Sequence, residues 1–368
     1  MFWAARGANL PYISGISNTP MVIHSSQFKS RQLFDGCRLV MVVGCGETGA
    51  DVAYLAATHL EINRVVLCHS YGFHFAPKPG IPVDVSRTNL FDTAYVHRIL
   101  RQKDGWLWEY YRLYIAALLW LSSGTTAGMD QWAVFFNKSM KVCPYISLPY
   151  RPQVPGRRLW LYALRSALVQ TPVEDTNGRY VDLAPWPLQV QPSGFVEFVD
   201  NGRPEYQKMK ERQARPDMMV LCTGYKQSFP FLDRQSNPPY ATPDTANIRR
   251  IWERSDPSVG FIGFVRPSLG AIPPLSEMQA QLWIAHLLAR HCIPRPPHPQ
   301  DEWHYRLRSV PGARVQYGVD HESYVYQLAL DMGSAPGLTD VVRLGSLKLL
   351  LVWALGANFN TKFRLRGP

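Results

Sequence analysis

The sequence predicts an α/β fold built on a parallel sheet, and three observations in one stretch predict it. Residues Leu39–Val43 are an uninterrupted apolar run rich in β-branched side chains, which is typical of a strand buried on both faces. Gly44, Gly46 and Gly49 follow directly at the spacing GxGxxG. Residues 50–60 then place apolar side chains three and four positions apart, which predicts a helix.

This order of strand, glycine turn and helix is typical of a Rossmann-like dinucleotide-binding domain. The first glycine makes the turn, the second lets a pyrophosphate approach the backbone, and the third lets helix and strand pack closely. Unpaired N–H groups and the helix dipole would favour the phosphates at the helix N-terminus. We therefore predict Gly44, Gly46 and Gly49 as cofactor-binding residues, with Glu47 and Thr48 lining the turn. A glycine turn without a ligand is the alternative.

The second predicted strand, residues 64–68, bears on which dinucleotide binds. NAD-binding domains usually carry an acidic residue at the end of this strand to hold the ribose 2′-hydroxyl. Here no carboxylate follows until Asp84, whereas Arg64, His69 and Lys78 are nearby. The missing acid and the basic neighbours favour a 2′-phosphate, and hence NADPH over NADH. A solvated loop lysine is the alternative interpretation of Lys78.

The remaining elements are predicted from periodicity and from turn residues. Residues 1–30 are interrupted by Pro11, Gly15 and Pro20, which predicts a loop. The run over 217–225 ends in a tight turn at Thr223 and Gly224, where ligand contact and a simple turn are equally consistent with the spacing. Apolar patterns predict strands over 195–199, 217–225 and 259–265, and helices over 106–121, 156–170 and 275–289.

The composition bounds the class of protein. A chain of 368 residues is long enough for roughly two domains. Its net charge of +11 suits anionic partners such as dinucleotides, nucleic acid or an acidic membrane. The chain has no dense run of Lys and Arg and no basic helix, so we predict no nucleic-acid partner. A dispersed charge that serves only solubility is the alternative.

The cysteines and the apolar runs bear on the compartment. The six cysteines form no CxxC pair, and we interpret them as core residues of a reduced compartment, with no metal site. The longest apolar runs, 113–121 and 349–355, are far shorter than the ~20 residues that span a bilayer. Without a signal-peptide pattern, we predict a cytoplasmic location. Peripheral contact of residues 349–355 with an intracellular membrane is the alternative.

Four stretches, taken in order, are similar to motifs of one enzyme family. On these motifs the chain resembles the flavin-containing monooxygenases, and especially the fungal members of the dimethylaniline monooxygenase type. The stretches are Gly15 with His24–Phe28 (the FxGxxxH signature, in part), Val42–Asp51 (the NADPH-binding GxGxxG), Leu221–Leu232 (the ATGY motif, with Cys222 in place of alanine) and Gly263–Trp283 (the return towards the flavin).

The resemblance implies a reaction and its cofactors. NADPH reduces FAD, and the reduced flavin with O₂ delivers one oxygen atom to a small organic substrate, by N- or S-oxygenation of an amine or sulfide. It further implies that Thr223, Gly224 and Tyr225 border the cofactor cleft and that Arg266 approaches the flavin. No catalytic acid, base or nucleophile is readable from the sequence. We interpret His24 as a structural hydrogen-bonding residue.

One departure from the family pattern shapes the predicted domains. The family has an earlier GxGxxG turn that binds FAD and an active-site asparagine in the same region, and neither has a counterpart before Gly44. We therefore predict that residues 1–30 are a remnant of a FAD-binding domain. Residues 31–215 are a Rossmann-like NADPH domain with a helical insertion, and residues 216–368 the C-terminal part of the FAD-binding domain with a helical tail. A Baeyer–Villiger monooxygenase and a truncated, inactive NADPH-binding protein are the alternatives.

Overall fold

The computed structural model describes residues 5–70, 73–75, 113, 129–135, 176, 178–229, 242–267, 272–288, 298–306, 317–335 and 338–350. The chain divides into two compact units, Met1–Val85 with Arg112–Ser228 and Ser86–Tyr111 with Phe229–Pro368. The helix predicted over 156–170, and all but one residue of that over 106–121, lie outside the described residues. The assignment of particular segments to NADPH and FAD domains stays a prediction.

The first unit contains most of the described strands. In chain order these are β1 (Ala5–Ala8), β2 (Met21–His24), β3 (Leu39–Val43), β4 (Arg64–Cys68), β5 (Phe73–Phe75), β6 (Met129–Phe135), β7 (Val181–Ala184), β8 (Pro187–Val190), β9 (Val196–Phe198), β10 (Met218–Leu221) and β11 (Tyr225–Ser228). Its described helices are α1 (Glu47–Ala57) and α2 (Pro204–Glu211), with 3₁₀ turns at Ile16–Asn18 and Arg31–Phe34.

A five-stranded parallel sheet in the order β2-β10-β3-β4-β7 forms the centre of this unit. Strand β3 shows why its sequence is continuously apolar. Val40 and Val42 pack into a core with α1, whereas Met41 and Val43 pack into a second core on the opposite face. All four side chains are fully buried. Because both faces of the sheet are covered, the predicted α/β fold is confirmed.

Two details of this unit correct the predictions. Helix α1 begins at Glu47, three residues before the predicted start, because polar first-turn residues do not contribute to the apolar periodicity. The predicted loop over residues 1–30 is wrong, since Met21–His24 forms β2 and pairs in parallel with β10. A strand of four residues is too short for a clear local pattern, and its pairing with a strand some 200 residues later is invisible in the local sequence.

The second unit is mainly helical in its described part. Its elements are β12 (Arg266–Pro267), α3 (Ile272–Leu288), β13 (Gly318–Val319), α4 (His321–Asp331) and α5 (Leu338–Arg343), with a 3₁₀ turn at Pro299–His304. The strand predicted over 259–265 is wrong, because these residues form no strand and β12 begins only at Arg266. Gly263 has a φ of +81°, and the Cβ position of Gly260 lies 2.5 Å from the ring of Trp283. None of the described helices has the length and apolar content needed to cross a bilayer.

A buried polar network organises the core of the second unit. The Arg249 guanidinium lies 2.6 Å from Asp331 and 2.8 Å from Asp301, and all three side chains are buried. The backbone of Arg249 and that of Arg250 have positive φ values of 50° and 58°. Such a conformation is strained for residues other than glycine. The paired guanidinium therefore anchors a turn that the backbone alone would disfavour.

Hydrogen bonds extend this network to the segment before β12. The Tyr324 hydroxyl donates to the Arg249 carbonyl at 2.6 Å and accepts from the Gln279 side-chain amide at 2.8 Å. The amide oxygen of Gln279 accepts from the backbone N–H of Gly263 at 2.8 Å. Both Tyr324 and Gln279 are fully buried. One hydroxyl thus joins α3 and α4 to the strained turn.

Replacing Tyr324 with phenylalanine should therefore destabilise the protein. The substitution removes the partner of the Gln279 amide and of the Arg249 carbonyl, and a buried polar group left unpaired costs about 1–3 kcal/mol. Urea unfolding should show a correspondingly lower midpoint. The matched control is Tyr12→Phe, because Tyr12 is 93% exposed. Equal midpoints for the two variants would show that the network contributes nothing to stability.

Candidate functional site

The glycine turn lies at the carboxyl edge of the parallel sheet. Gly44 has a φ of +105°, and its N–H donates to the Cys68 carbonyl at the end of β4, at 3.0 Å. A Cβ on Gly44 would lie 2.6 Å from the Cys222 carbonyl oxygen. Both the backbone conformation and the space therefore require glycine at this position.

The other two glycines have opposite surroundings. A Cβ on Gly49 would lie 1.9 Å from the Gly44 carbonyl oxygen, so the third glycine is required for helix α1 to pack against the turn. In contrast, no atom of the described residues lies within 4 Å of the Cβ position of Gly46. The fold itself therefore leaves the second position open. An open backbone at this glycine is what an approaching pyrophosphate needs.

Helix α1 begins beside this open position. Gly46 is the N-cap residue, and no side chain caps the helix. The first N–H groups of a helix have no partner within it, and here these belong to Glu47, Thr48 and Gly49. Glu47 and Thr48 are exposed. Uncapped N–H groups next to an open glycine form an anion-receptive surface.

The turn after β10 borders the first glycine. Cys222 donates its N–H to the Val43 carbonyl at 2.8 Å, which brings Cys222 and Thr223 beside Gly44. The Gly224 carbonyl accepts from the Asn9 N–H at 2.9 Å.

Asn9 also holds Thr223. Its side-chain amide donates to the Thr223 carbonyl at 3.2 Å, and the Thr223 hydroxyl donates to the Asn9 carbonyl. The carbonyl groups of Thr223 and Gly224 are thus held by the chain itself. Of the predicted residues Thr223, Gly224 and Tyr225, the last has the most exposed side chain, at 40%.

His24 connects β2 to this turn. Its Nε2 lies 3.0 Å from the Gly224 carbonyl oxygen, and the backbone N–H of Ser26 donates to its Nδ1 at 3.2 Å. Because a carbonyl only accepts, Nε2 carries the hydrogen and Nδ1 is the acceptor. The ring is buried and packs edge-on against Tyr225, with centroids 5.2 Å apart. These contacts support the interpretation of His24 as a structural hydrogen-bonding residue.

Two basic residues predicted near the ribose are engaged elsewhere. Arg64 lies at the start of β4, at the opposite edge of the sheet from the glycine turn, and its Nε donates to the buried Asp182 at 2.8 Å. His69 follows β4 but is fully buried, with Nε2 3.0 Å from Glu205 Oε1. Lys78 lies outside the described residues. Of the features predicted to favour NADPH, the missing acid after β4 therefore remains.

The pair of His69 and Glu205 is a feature that sequence reasoning missed. Burial alone would raise the pKa of the Glu205 carboxyl, but His69, a backbone hydrogen bond and Arg203 together outweigh it and hold this pKa below its usual range. Glu205 comes from helix α2, far from β4 along the chain. The signal that would have found it is weak, since a lone glutamate in a helix usually lies in solvent.

Cys45 and Cys222 lie at the two turns, and Arg266 is the last of the predicted site residues. Burial raises the pKa of both Cys45 and Cys222 to about 12, which disfavours the reactive thiolate. Within the described part of the chain no group of His, Cys, Asp and Glu is arranged to hold a metal ion. Arg266 is exposed on β12 of the second unit, where it pairs with Gly318 of β13.

The parallel sheet, the open glycine turn and the uncapped helix together have the architecture of the dinucleotide-binding α/β class. Comparison with known proteins adds a closer relationship. Monooxygenase cfoE of Aspergillus candidus is 44% identical over 398 residues, covering 98% of this chain and 65% of the relative. Monooxygenase PC-14 of Penicillium crustosum is 43% identical over 394 residues, with the same two coverages. The chain is a relative of fungal monooxygenases over nearly its whole length, which confirms the predicted resemblance.

These matches cover only part of each relative. The chain spans about two thirds of the length of these relatives, 65% in each case. No protein-family model matches the chain. Among solved structures, S-allyl-L-cysteine S-oxygenase from Allium sativum aligns with a TM-score of 0.44 and 15% identity, covering 88% of this chain and 51% of that one.

The different surroundings of the glycines predict different effects of one added methyl group. Gly49→Ala should lower the thermal midpoint clearly, because its Cβ would overlap the Gly44 carbonyl oxygen and force helix and turn apart. Gly46→Ala should leave the midpoint within a few degrees of wild type, because its Cβ enters open space. Thermal unfolding followed by circular dichroism measures both. A Gly46→Ala variant as unstable as Gly49→Ala would contradict the described geometry.

Proposed function

We propose that the chain is the dinucleotide-binding part of an NADPH- and FAD-dependent monooxygenase, which transfers one oxygen atom from O₂ to a small organic substrate by N- or S-oxygenation. The observation that carries the proposal is the open backbone at Gly46, beside the uncapped N-terminus of α1. The sequence relationship to proteins named as monooxygenases supports the class of reaction.

The described residues fit one dinucleotide. Gly44 and Gly49 shape the turn, and Gly46 leaves room for a pyrophosphate that the N–H groups of Glu47 and Thr48 would meet. NADPH is our choice of dinucleotide because no carboxylate follows β4 to hold a 2′-hydroxyl. The chain's contribution at this site is to bind and orient the nucleotide.

We include FAD because the flavin-containing monooxygenases, which the chain resembles, use it. When bound, it would accept the reducing equivalents of NADPH and supply the oxygen-activating chemistry. The described residues offer one glycine cradle, which we assign to NADPH. Arg266 stays a proposed flavin contact on the strength of the resemblance.

A second candidate is an NADPH-binding protein without a flavin. It is the simpler case, because the described glycine turn accounts for one dinucleotide. The two candidates differ in a simple observable. Incubation with FAD followed by gel filtration should leave a flavin absorption band on the protein in the first case and none in the second.

NADPH should bind at least about tenfold more tightly than NADH, a difference of about 1.4 kcal/mol. The physical reason is that the residues following β4 contain, before Asp84, no carboxylate that would bind a 2′-hydroxyl and repel a 2′-phosphate. Fluorescence titration of the two reduced dinucleotides measures both dissociation constants. Equal affinities would refute the assignment of NADPH.

Gly46→Val should abolish dinucleotide binding without unfolding the protein. Its side chain would occupy the space that the pyrophosphate needs, and its Cβ would have no atom within 4 Å beyond the adjacent residues. Gly7→Val is the matched control, because Gly7 is likewise open but lies on β1. NADPH titration of both variants is the measurement. Unchanged binding by Gly46→Val would show that the turn has only a structural role.

A further inference from the structure

The carboxyl end of β4 is connected to helix α2 by two buried polar side chains. His69 follows the strand directly, and its backbone N–H donates to the Ala184 carbonyl at the end of β7, at 3.0 Å. Its Nε2 lies 3.0 Å from Oε1 of Glu205, in the first turn of α2. The exposed fractions of the two side chains are 0% and 1%. The contact is therefore shielded from water.

The charge at this contact is compensated locally. Although burial opposes it, the contact with His69 lowers the pKa of the Glu205 carboxyl, which favours its carboxylate form. Arg203 Nη1 lies 4.0 Å from the same carboxylate oxygen, and the Asn201 amide lies 3.5 Å from it. A buried carboxylate is costly unless it is paired, so replacing His69 removes the nearest of these three partners of Glu205.

The position of the pair gives it a consequence beyond stability. In open α/β sheets, ligands bind outside the carboxyl ends of the strands, and the end of the strand after the glycine turn faces the ribose. Ser70 is exposed at this end and follows the anchored His69 directly. The backbone that would face the 2′-position of the ribose is thus anchored by the His69 side chain, which is buried in the protein.

We infer that His69 and Glu205 are positioning residues, which fix the carboxyl end of β4 and thereby set the discrimination between a ribose 2′-phosphate and a 2′-hydroxyl. The inference rests on the proposed dinucleotide site. The buried contact between His69 and Glu205 of α2 would then set the selectivity of that site. The sequence alone had suggested that basic side chains near β4 set it.

The test is Glu205→Gln, which keeps the size of the side chain and removes its charge. The measured quantity is the ratio of the dissociation constants for NADH and NADPH. We expect this ratio to fall at least about threefold, because a displaced strand end no longer distinguishes the two riboses. A merely structural role would lower the folded fraction for both ligands equally and leave the ratio unchanged. His69→Gln, which acts on the other partner, is the second variant and should lower the ratio in the same direction.

The matched control is Glu211→Gln, on the same helix but exposed to solvent, which should keep the wild-type ratio. Circular dichroism measures whether each variant is folded. Either Glu205→Gln or His69→Gln, if folded, is sufficient for the test. A wild-type ratio in that variant would overturn the inference while the proposed function stands. Wild-type protein that binds neither dinucleotide would overturn the proposed function, and the inference with it.

Discussion

Three backbone segments meet in this protein more closely than any side chain would allow. The Gly44 carbonyl lies against Gly49 of α1, and the Cys222 carbonyl lies against Gly44 itself. This close approach places the N-terminus of a helix at the carboxyl edge of the parallel sheet. The sheet order, the two cores around β3 and the open position at Gly46 are all arranged around it. The candidate site is therefore a direct product of backbone packing.

Buried charges secure the elements around this centre. Helix α2 contacts the sheet through two side chains. Glu205 pairs with His69 at the end of β4, and Lys208 Nζ lies 2.7 Å from the fully buried Asp182 of β7. Asp182 also forms an ion pair with Arg64 at the start of β4. Within the second unit, the buried Arg249 guanidinium similarly pairs with Asp301 and with Asp331 of α4. Because an unpaired buried charge is costly, such contacts specify one arrangement of the elements.

Local patterns predicted the centre of the first unit well. The strand Leu39–Val43, the strand Arg64–Cys68 and the glycine spacing all follow from rules that act within about 20 residues of chain. The missed features are non-local. Strand β2 depends on pairing with β10, and Glu205 reaches His69 from a distant helix. Arg64 looked available for a phosphate because its partner Asp182 is remote in sequence.

The central claim is that the N–H groups at Gly46, Glu47 and Thr48 receive the pyrophosphate of a dinucleotide. Hydrogen–deuterium exchange of the whole chain, with and without saturating NADPH, tests it most directly. The account predicts that the peptide covering residues 44–50 becomes protected when NADPH binds, since its exposed amides acquire acceptors. Binding of NADPH with no change in that peptide, and protection elsewhere, would contradict the account.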